Sequence, residues 1–330
     1  MRMAQNRTAR AAQTAGRTSE LDRLRSRAVW LYYAEGMKQS EIADVLGLTR
    51  VSIVRLLADA RRRNEVRITI SSPLAEFAQA EMELRERYSI GEVILAPVHE
   101  EDADPTLAIA ATAGAFISSR VGDGMSVGVG WGRTLHSTLP FIEGRTVENL
   151  KVISLLGGIS QARRFNPAEF AWQFAELFQG EGYLIPAPAL VDSPETRHAL
   201  LERCGLASIF EMADKLDLAL LSTGGIAQLE TSYRTGHLSE ADRQSLIEHG
   251  AVGDVLYNFI DSDGNTIDHP VNNRAISAKV ERLRNARERV LLSGGRDKYR
   301  VMRAAIKALN PTVLITDEFT AQSLLSDPAD

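Results

Sequence analysis

The chain has 330 residues, room for two or three domains, and its 44% hydrophobic content supports a sizeable core. It carries 38 Lys+Arg against 43 Asp+Glu, a net charge of −5, and a single cysteine, Cys204, which excludes an internal disulfide and a multi-cysteine metal site. No run of about 18 apolar residues occurs, so a helical membrane span is excluded, and the N-terminus lacks the apolar stretch of a secretory signal, which leads us to expect a cytoplasmic protein.

Residues 1–19 show no apolar periodicity and are expected to form a flexible basic arm. A first helix follows over Arg23–Tyr33, with Leu24, Ala28, Leu31 and Tyr32 as its inner face. Residues 40–63, SEIADVLGLTRVSIVRLLADARRR, then read as two short helices joined by a tight turn. Ile42, Ala43 and Leu46 repeat at helical spacing until Gly47, a residue suited to a left-handed helix end. Thr49 stands at the N-cap position of the next helix. Val51, Val54, Leu57 and Ala58 are expected to form its docked stripe, leaving Thr49, Arg50, Ser52 and Arg55 to face outward. Such a helix fits a DNA major groove, although an ordinary helical hairpin has the same pattern. Charge separates the two readings. Residues 1–67 hold 14 Lys+Arg against 7 Asp+Glu, net +7, whereas the remainder holds 24 against 36, net −12. A basic head on an acidic body suits phosphate contact by one end alone. The DNA-contacting candidates are Ser40, Thr49, Arg50, Ser52, Arg55, Arg61, Arg62 and Arg63.

Val66–Ile70 alternates as a short strand closing a helix-turn-helix domain over residues 20–71, and Pro73 opens a linker helix over 72–89, either a connector or a dimer contact. From residue 90 to 330 the pattern changes to short apolar runs between helical segments. The expected strands are Glu92–Ala96, Ser126–Val129, Lys151–Leu155, Tyr183–Ile185, Leu216–Leu221, Asp254–Phe259, Arg289–Leu292 and Thr312–Ile315. Leu107–Arg120, Pro167–Gln179, Ser239–His249 and Arg296–Leu309 read as helices between them. This alternation predicts an α/β fold, an open and mostly parallel sheet covered on both faces.

Several strands end in glycine. Gly130-Trp131-Gly132-Arg133-Thr134, Gly157-Gly158, Gly224-Gly225 and Gly294-Gly295 would all fall at the carboxyl ends of strands, where ligands of open parallel sheets bind. Glycine lets backbone amides approach an anion, so the expected design is a phosphate or polyol cradle. GVGWGRT has neither the lysine of a P-loop nor dinucleotide spacing, and no ATP, NAD, metal or other cofactor is predicted. Lys298, on the first turn of the helix after Gly294-Gly295, is placed to reach an anionic group, with a solvated surface lysine as the rival reading. Asp317 and Glu318 can accept sugar hydroxyls, with an N-cap role for Asp317 as the rival reading. Asp268, His269, Asn272, Asn273 and Arg274 form a polar segment with no diagnostic spacing, and DSDG at 261–264 reads as a turn.

LYYAEGMKQSEIADVLGLTRVSIVRLLADARRRNEVRI, GVGWGRTL, LGGIS, the APA at Ala187–Ala189, LLSTGGI, VGDVLYNFIDSDG, SGGRDKYRVMRAAI and LITDE together resemble the SorC family of bacterial sugar-responsive transcriptional regulators, over nearly the entire chain. The resemblance implies a winged helix-turn-helix and a C-terminal effector and oligomerisation domain similar to sugar-phosphate isomerases. It also implies a homo-oligomer, dimer or tetramer, whose hold on operator DNA is altered by a sugar, polyol or sugar phosphate. Carried over by motif, the effector-binding positions are Gly130, Gly132, Thr134, Gly157, Gly158, Gly224, Gly225, Lys298, Asp317 and Glu318. Trp131 and Arg133 stand where sugar-phosphate binders of the family tend to have small hydroxyl residues, and Trp131 either stacks on a sugar ring or packs in the core. Asp268 completes the set. The alternative function is a sugar-phosphate isomerase or deaminase with an added DNA-binding head. Its base would be Asp317, Glu318 or His269, but no acid–base pair has catalytic spacing, and no catalytic residue is assigned.

Overall fold

A computed structural model describes residues 20–63, 65–66, 75–159, 166–226 and 238–326. The expected basic arm, Pro73 and all but the first residue of the expected strand Val66–Ile70 lie outside these. The chain divides into two compact units, residues 1–68 and 69–330.

In the smaller unit, α1 (residues 20–33), α2 (Gln39–Leu46) and α3 (Arg50–Arg62) close around Ala28, Ile42, Ala43, Ile53 and Leu57. Helix α2 ends where Gly47 turns left-handed, φ 64°. Thr49 caps α3 by accepting the Ser52 amide at 3.2 Å. Arg25, only 5% exposed, ties the unit together. Its guanidinium meets Asp22 at 2.6 Å, Glu65 at 2.5 Å and Asp59 of α3 at 3.4 Å. The docked stripe of α3 differs from the expected one. Ile53, Leu57 and Ala60 are buried, while Val51 and Val54 are 62% and 45% exposed. Both sets have helical spacing, and the arrangement of α1 and α2 selects between them, which α3 alone cannot reveal.

The larger unit begins with α4 (Ala75–Tyr88) and β1 (Glu92–Ala96), followed by α5 (Thr106–Arg120), β2 (Ser126–Val129), α6 (Arg133–Thr138), β3 (Lys151–Ser154), α7 (Pro167–Leu177) and β4 (Glu181–Tyr183). Then come α8 (Pro194–Arg203), α9 (Ala207–Met212), β5 (Leu218–Leu221), β6 (Gly224–Gly225), α10 (Glu240–Glu248), β7 (Gly253–Val255) and β8 (Asn258–Ile260). It finishes with α11 (Pro270–Arg274), α12 (Val280–Leu283), β9 (Glu288–Leu292), α13 (Tyr299–Leu309), β10 (Val313–Asp317) and α14 (Glu318–Ser326). Seven strands form a wholly parallel sheet in the order β1-β10-β9-β5-β2-β3-β4.

The central strand β5, LALL, is buried throughout because both faces of the sheet are covered. Leu218 and Leu220 point into one core layer with Ile109 and Phe116 of α5 and Phe170 and Phe174 of α7. Ala219 and Leu221 point into the other with Met302 and Ile306 of α13, Leu324 of α14 and Leu84 of α4. Each fully buried leucine stabilises the unit by about 1.5–3 kcal/mol. Helix α4, read from sequence as a linker, packs within this unit. The Tyr88 hydroxyl donates to the Leu324 carbonyl at 3.0 Å, and Glu81 accepts the Leu95 amide at 2.9 Å.

One expected strand is two. Asp254–Phe259 is a hairpin, β7 and β8, which pairs with β6 in a separate three-stranded antiparallel sheet. Its two-residue turn is Leu256-Tyr257, with φ 56° and 58°, left-handed values that turns usually give to Asn and Gly. Burial of both side chains and the Asp254 carboxylate, which accepts the Tyr257 amide at 2.8 Å, hold them there. The apolar residues Val255, Leu256 and Tyr257 span the turn itself, and Asn258 follows it, which concealed the hairpin.

Candidate functional site

In the smaller unit the candidate surface is the outward arc of α3. Arg50, Arg55, Arg61, Arg62 and Arg63 are all exposed, as are Ser40 on α2 and Thr49. Arg62 and Arg63 share Asp59, at 2.5 and 3.1 Å, so part of their charge is already met. Among the described residues no carboxylate lies within ion-pair reach of Arg50, Arg55 or Arg61. Thr49 and Ser52 bond each other through their hydroxyls at 2.9 Å at the start of the helix.

In the larger unit the strand order locates the candidate cleft. From β2 the chain proceeds outward through β3 to β4, and from β5 it proceeds the other way through β9 and β10. The reversal falls between β2 and β5, which are neighbours in the sheet. Crevices at the carboxyl ends of such strands are where open α/β sheets bind ligands. The loops 130–134 and 222–225 meet there. Thr134, Ser222, Thr223 and Ser293 are buried, and the Thr223 and Ser293 hydroxyls bond across β5 and β9 at 2.8 Å. Arg133 meets Asp104 at 3.0 Å. Burial opposes ionisation of Asp104, but hydrogen bonds from Thr106 and the charges of Arg133 and Lys298 outweigh it and hold the carboxyl below its usual pKa. Asp104 thus pairs with Arg133, one of the residues expected from sequence, and feels the charge of a second, Lys298.

Several of the glycine amides are engaged within the fold. The Gly130 amide donates to Leu220 at 2.8 Å, Gly157 to Ile276 at 2.9 Å and Gly158 to Ala187 at 2.7 Å. Gly295 donates to Asp317 and Thr320, both at 2.9 Å. Gly224 and Gly225 are strand β6, paired with Asp254 and Gly253. Close backbone approach explains these glycines: a β-carbon on Gly157 would lie 2.6 Å from the Ala187 carbonyl oxygen, and one on Gly224 2.3 Å from the Asp254 carboxylate. The candidate crevice thus presents hydroxyls and charged side chains beside glycines of which several have their amides engaged within the fold. Gly132, at φ 124°, has open space beside it.

Trp131 is buried and stacks on Tyr257, with centroids 5.5 Å apart and planes 8° from parallel, so one face is taken by protein. Asp317 is 2% exposed and accepts from Gly295, the Thr320 amide and the Thr320 hydroxyl, which makes it the N-cap of α14. Glu318 accepts the Val98 amide at 2.8 Å. Asp268 is exposed and bonds no strand-end residue among those described. His269 is buried, with one ring nitrogen accepting the Val271 amide and the other bonded to Ser245 at 3.0 Å. A concavity of about 370 Å³ opens further along the same edge, lined by Glu101, Arg296, Tyr299, Phe319, Thr320 and Ser323. Its cation Arg296 is exposed and paired with Asp102, and we favour the topological crevice.

Asp104, Ser222, Thr223, Ser293 and Tyr257 were missed in the sequence. The Ser and Thr hydroxyls had a signal, since they immediately precede the glycine pairs in STGG and SGG. Asp104 had none beyond preceding Pro105 at a helix start.

Comparison with known proteins agrees with both units. The family described as "Putative sugar-binding domain" matches residues 72–326, and that described as "Sigma-70, region 4" matches residues 17–63. The chain is 31% identical over 312 residues to the erythritol catabolism regulatory protein EryD of Brucella abortus, covering 93% of this chain and 98% of that one. It is 29% identical to the deoxyribonucleoside regulator of Bacillus subtilis, covering 93% and 99%. The crystal structure of the full-length sorbitol operon regulator SorC from Klebsiella pneumoniae superposes with a TM-score of 0.70 at 25% identity, covering 93% of this chain and all of that one. With a basic helix-turn-helix ahead of a parallel-sheet unit, and matches of this length to both, the chain belongs to the SorC family of sugar-binding transcriptional regulators.

Proposed function

We propose that this protein binds operator DNA through α3 and regulates a carbohydrate or polyol catabolic operon in response to a small sugar, polyol or sugar phosphate. The observation that carries the reading is the crevice at the carboxyl ends of β2 and β5, where the following loops hold the buried hydroxyls of Thr134, Thr223 and Ser293 and the Arg133 of an Arg133–Asp104 ion pair. A ligand rich in hydroxyls has donors and acceptors to meet all of them. Asp104 already offsets the Arg133 charge, which favours a neutral polyol over a phosphorylated effector. The relatives named for erythritol, sorbitol and deoxyribonucleosides support that class. Regulation requires only that the effector bind one of two states, DNA-competent or incompetent, more tightly than the other. The protein acts in the cytoplasm as a homo-oligomer, dimer or tetramer.

Enzymatic turnover is disfavoured because the candidate bases have structural tasks. Both His269 nitrogens are engaged, Asp317 caps a helix, and Glu318 holds the Val98 amide. Thermal-shift screening against polyols, pentoses and their phosphates tests the sensor, since a bound ligand raises the melting temperature with the logarithm of its concentration. Fluorescence anisotropy on duplex DNA with and without the hit tests the response. A panel in which nothing shifts melting, or a hit that leaves DNA affinity unchanged, would count against the proposal.

A further inference from the structure

The outward arc of α3 carries an apolar feature that phosphate contact leaves unexplained. Around the helix, Ile53, Leu57 and Ala60 face the core, and the opposite side presents Arg50, Val51, Val54, Arg55, Ala58 and Arg61. Val51 and Val54 are 62% and 45% exposed, set among guanidinium groups. Two exposed valines three residues apart on one helix face form a continuous apolar strip, about 4.5 Å from one Cα to the next along the axis. What covers this strip must be apolar where it meets the valines and anionic around them. A second copy of the same face would bring arginine against arginine, which is unfavourable. The DNA major groove has both properties, because thymine projects a 5-methyl group between rows of phosphates.

We infer that Val51 and Val54 read thymine methyl groups in the operator, each contacting a methyl on the same or a neighbouring base pair. This rests on the reading of α3 as a DNA-binding helix and adds the base that the helix selects. Thr49 and Ser52, bonded to each other, set the start of the helix, and Arg50 and Arg55 flank the strip where they reach phosphates or guanine edges.

The test uses the full chain. Duplexes bound by the protein are enriched from a random pool at physiological salt, and each thymine of the recovered site is replaced singly by deoxyuridine, which removes only the methyl group. Wild-type protein is expected to lose about 3- to 10-fold in affinity at one or two thymines per half-site. Val51→Ala and Val54→Ala should each lose sensitivity at one of those positions while keeping the wild-type melting temperature and non-specific binding at low salt. Undiminished binding at every deoxyuridine position, or variants that keep the full penalty, would overturn the inference while leaving α3 as a DNA-binding helix. No enriched sequence at all would overturn both. A shift in oligomer mass in Val51→Ala or Val54→Ala would assign the strip to self-association and overturn it as well.

Discussion

Asp317→Asn should loosen the larger unit rather than its grip on a ligand. The wild-type carboxylate accepts three hydrogen bonds, from Gly295 N at 2.9 Å, Thr320 N at 2.9 Å and Thr320 Oγ1 at 2.7 Å, in a site almost closed to solvent. The amide side chain has one oxygen instead of two. Whichever way it turns, its NH₂ group faces a backbone N–H that formerly donated to oxygen. That loses a bond to a charged acceptor and leaves a buried donor unmet, about 2–3 kcal/mol together. For a unit of this size each kcal/mol lowers the melting temperature by about 2–4 °C, so the expected loss is about 4–12 °C. Circular dichroism melting of the full chain measures it, with effector binding scored at a temperature where both proteins are folded. A variant that melts within about 1 °C of wild type yet fails to bind effector would refute the argument and return Asp317 to the binding surface.

Replacing Arg50 and Arg55 together by alanine should weaken DNA binding at all sequences and reduce the slope of log affinity against log salt by about 2, leaving effector-induced melting shifts unchanged; anisotropy titrations over 50–200 mM salt check this. Arg25→Met should destabilise the helix-turn-helix unit by about 1–3 kcal/mol, because Asp22, Asp59 and Glu65 lose their shared cation while remaining partly solvated. Denaturant melts following helix content would show it, and an unchanged midpoint would contradict the clamp. Burial, assisted by the neighbouring His249, holds the His269 imidazole below its usual pKa, so the fold favours the neutral ring. The stability this contributes is complete above the unfolded value near 6.5 and is lost as pH falls below it toward the folded value. Asn at 269 can still cap the Val271 amide without titrating, so His269→Asn should flatten the decline in melting temperature between about pH 6.5 and 5. His136, also held low by burial, contributes to the slope that remains.

Much of the parallel sheet was legible because its strands are short apolar runs between helical segments, and the observed boundaries move by only a few residues. The hairpin at 253–260 was not, since its turn uses Leu256 and Tyr257, whose left-handed backbone is imposed by tertiary burial. Residue types alone could not assign the buried face of α3, because Val51 and Val54 are as apolar as the residues that dock. The glycines stood out at the carboxyl ends of the strands, where several of them permit backbone crowding, while the polar side chains of the candidate crevice are the adjoining hydroxyls and charges. Asp104 and Arg133 lie 29 positions apart in sequence, and only the folded β1–α5 and β2–α6 loops bring them to 3.0 Å.

The pairing of Glu92 with Val313 bears on how the protein is made. Strand β1 is synthesised early and has no parallel partner until β10 has left the ribosome, so the larger unit cannot close its sheet during most of its own translation. The helix-turn-helix, whose contacts are local, has no such wait. During synthesis the helix-turn-helix can therefore be folded while the larger unit is still an open sheet with an unpaired apolar strand, and that interval is when the nascent chain is most exposed to aggregation.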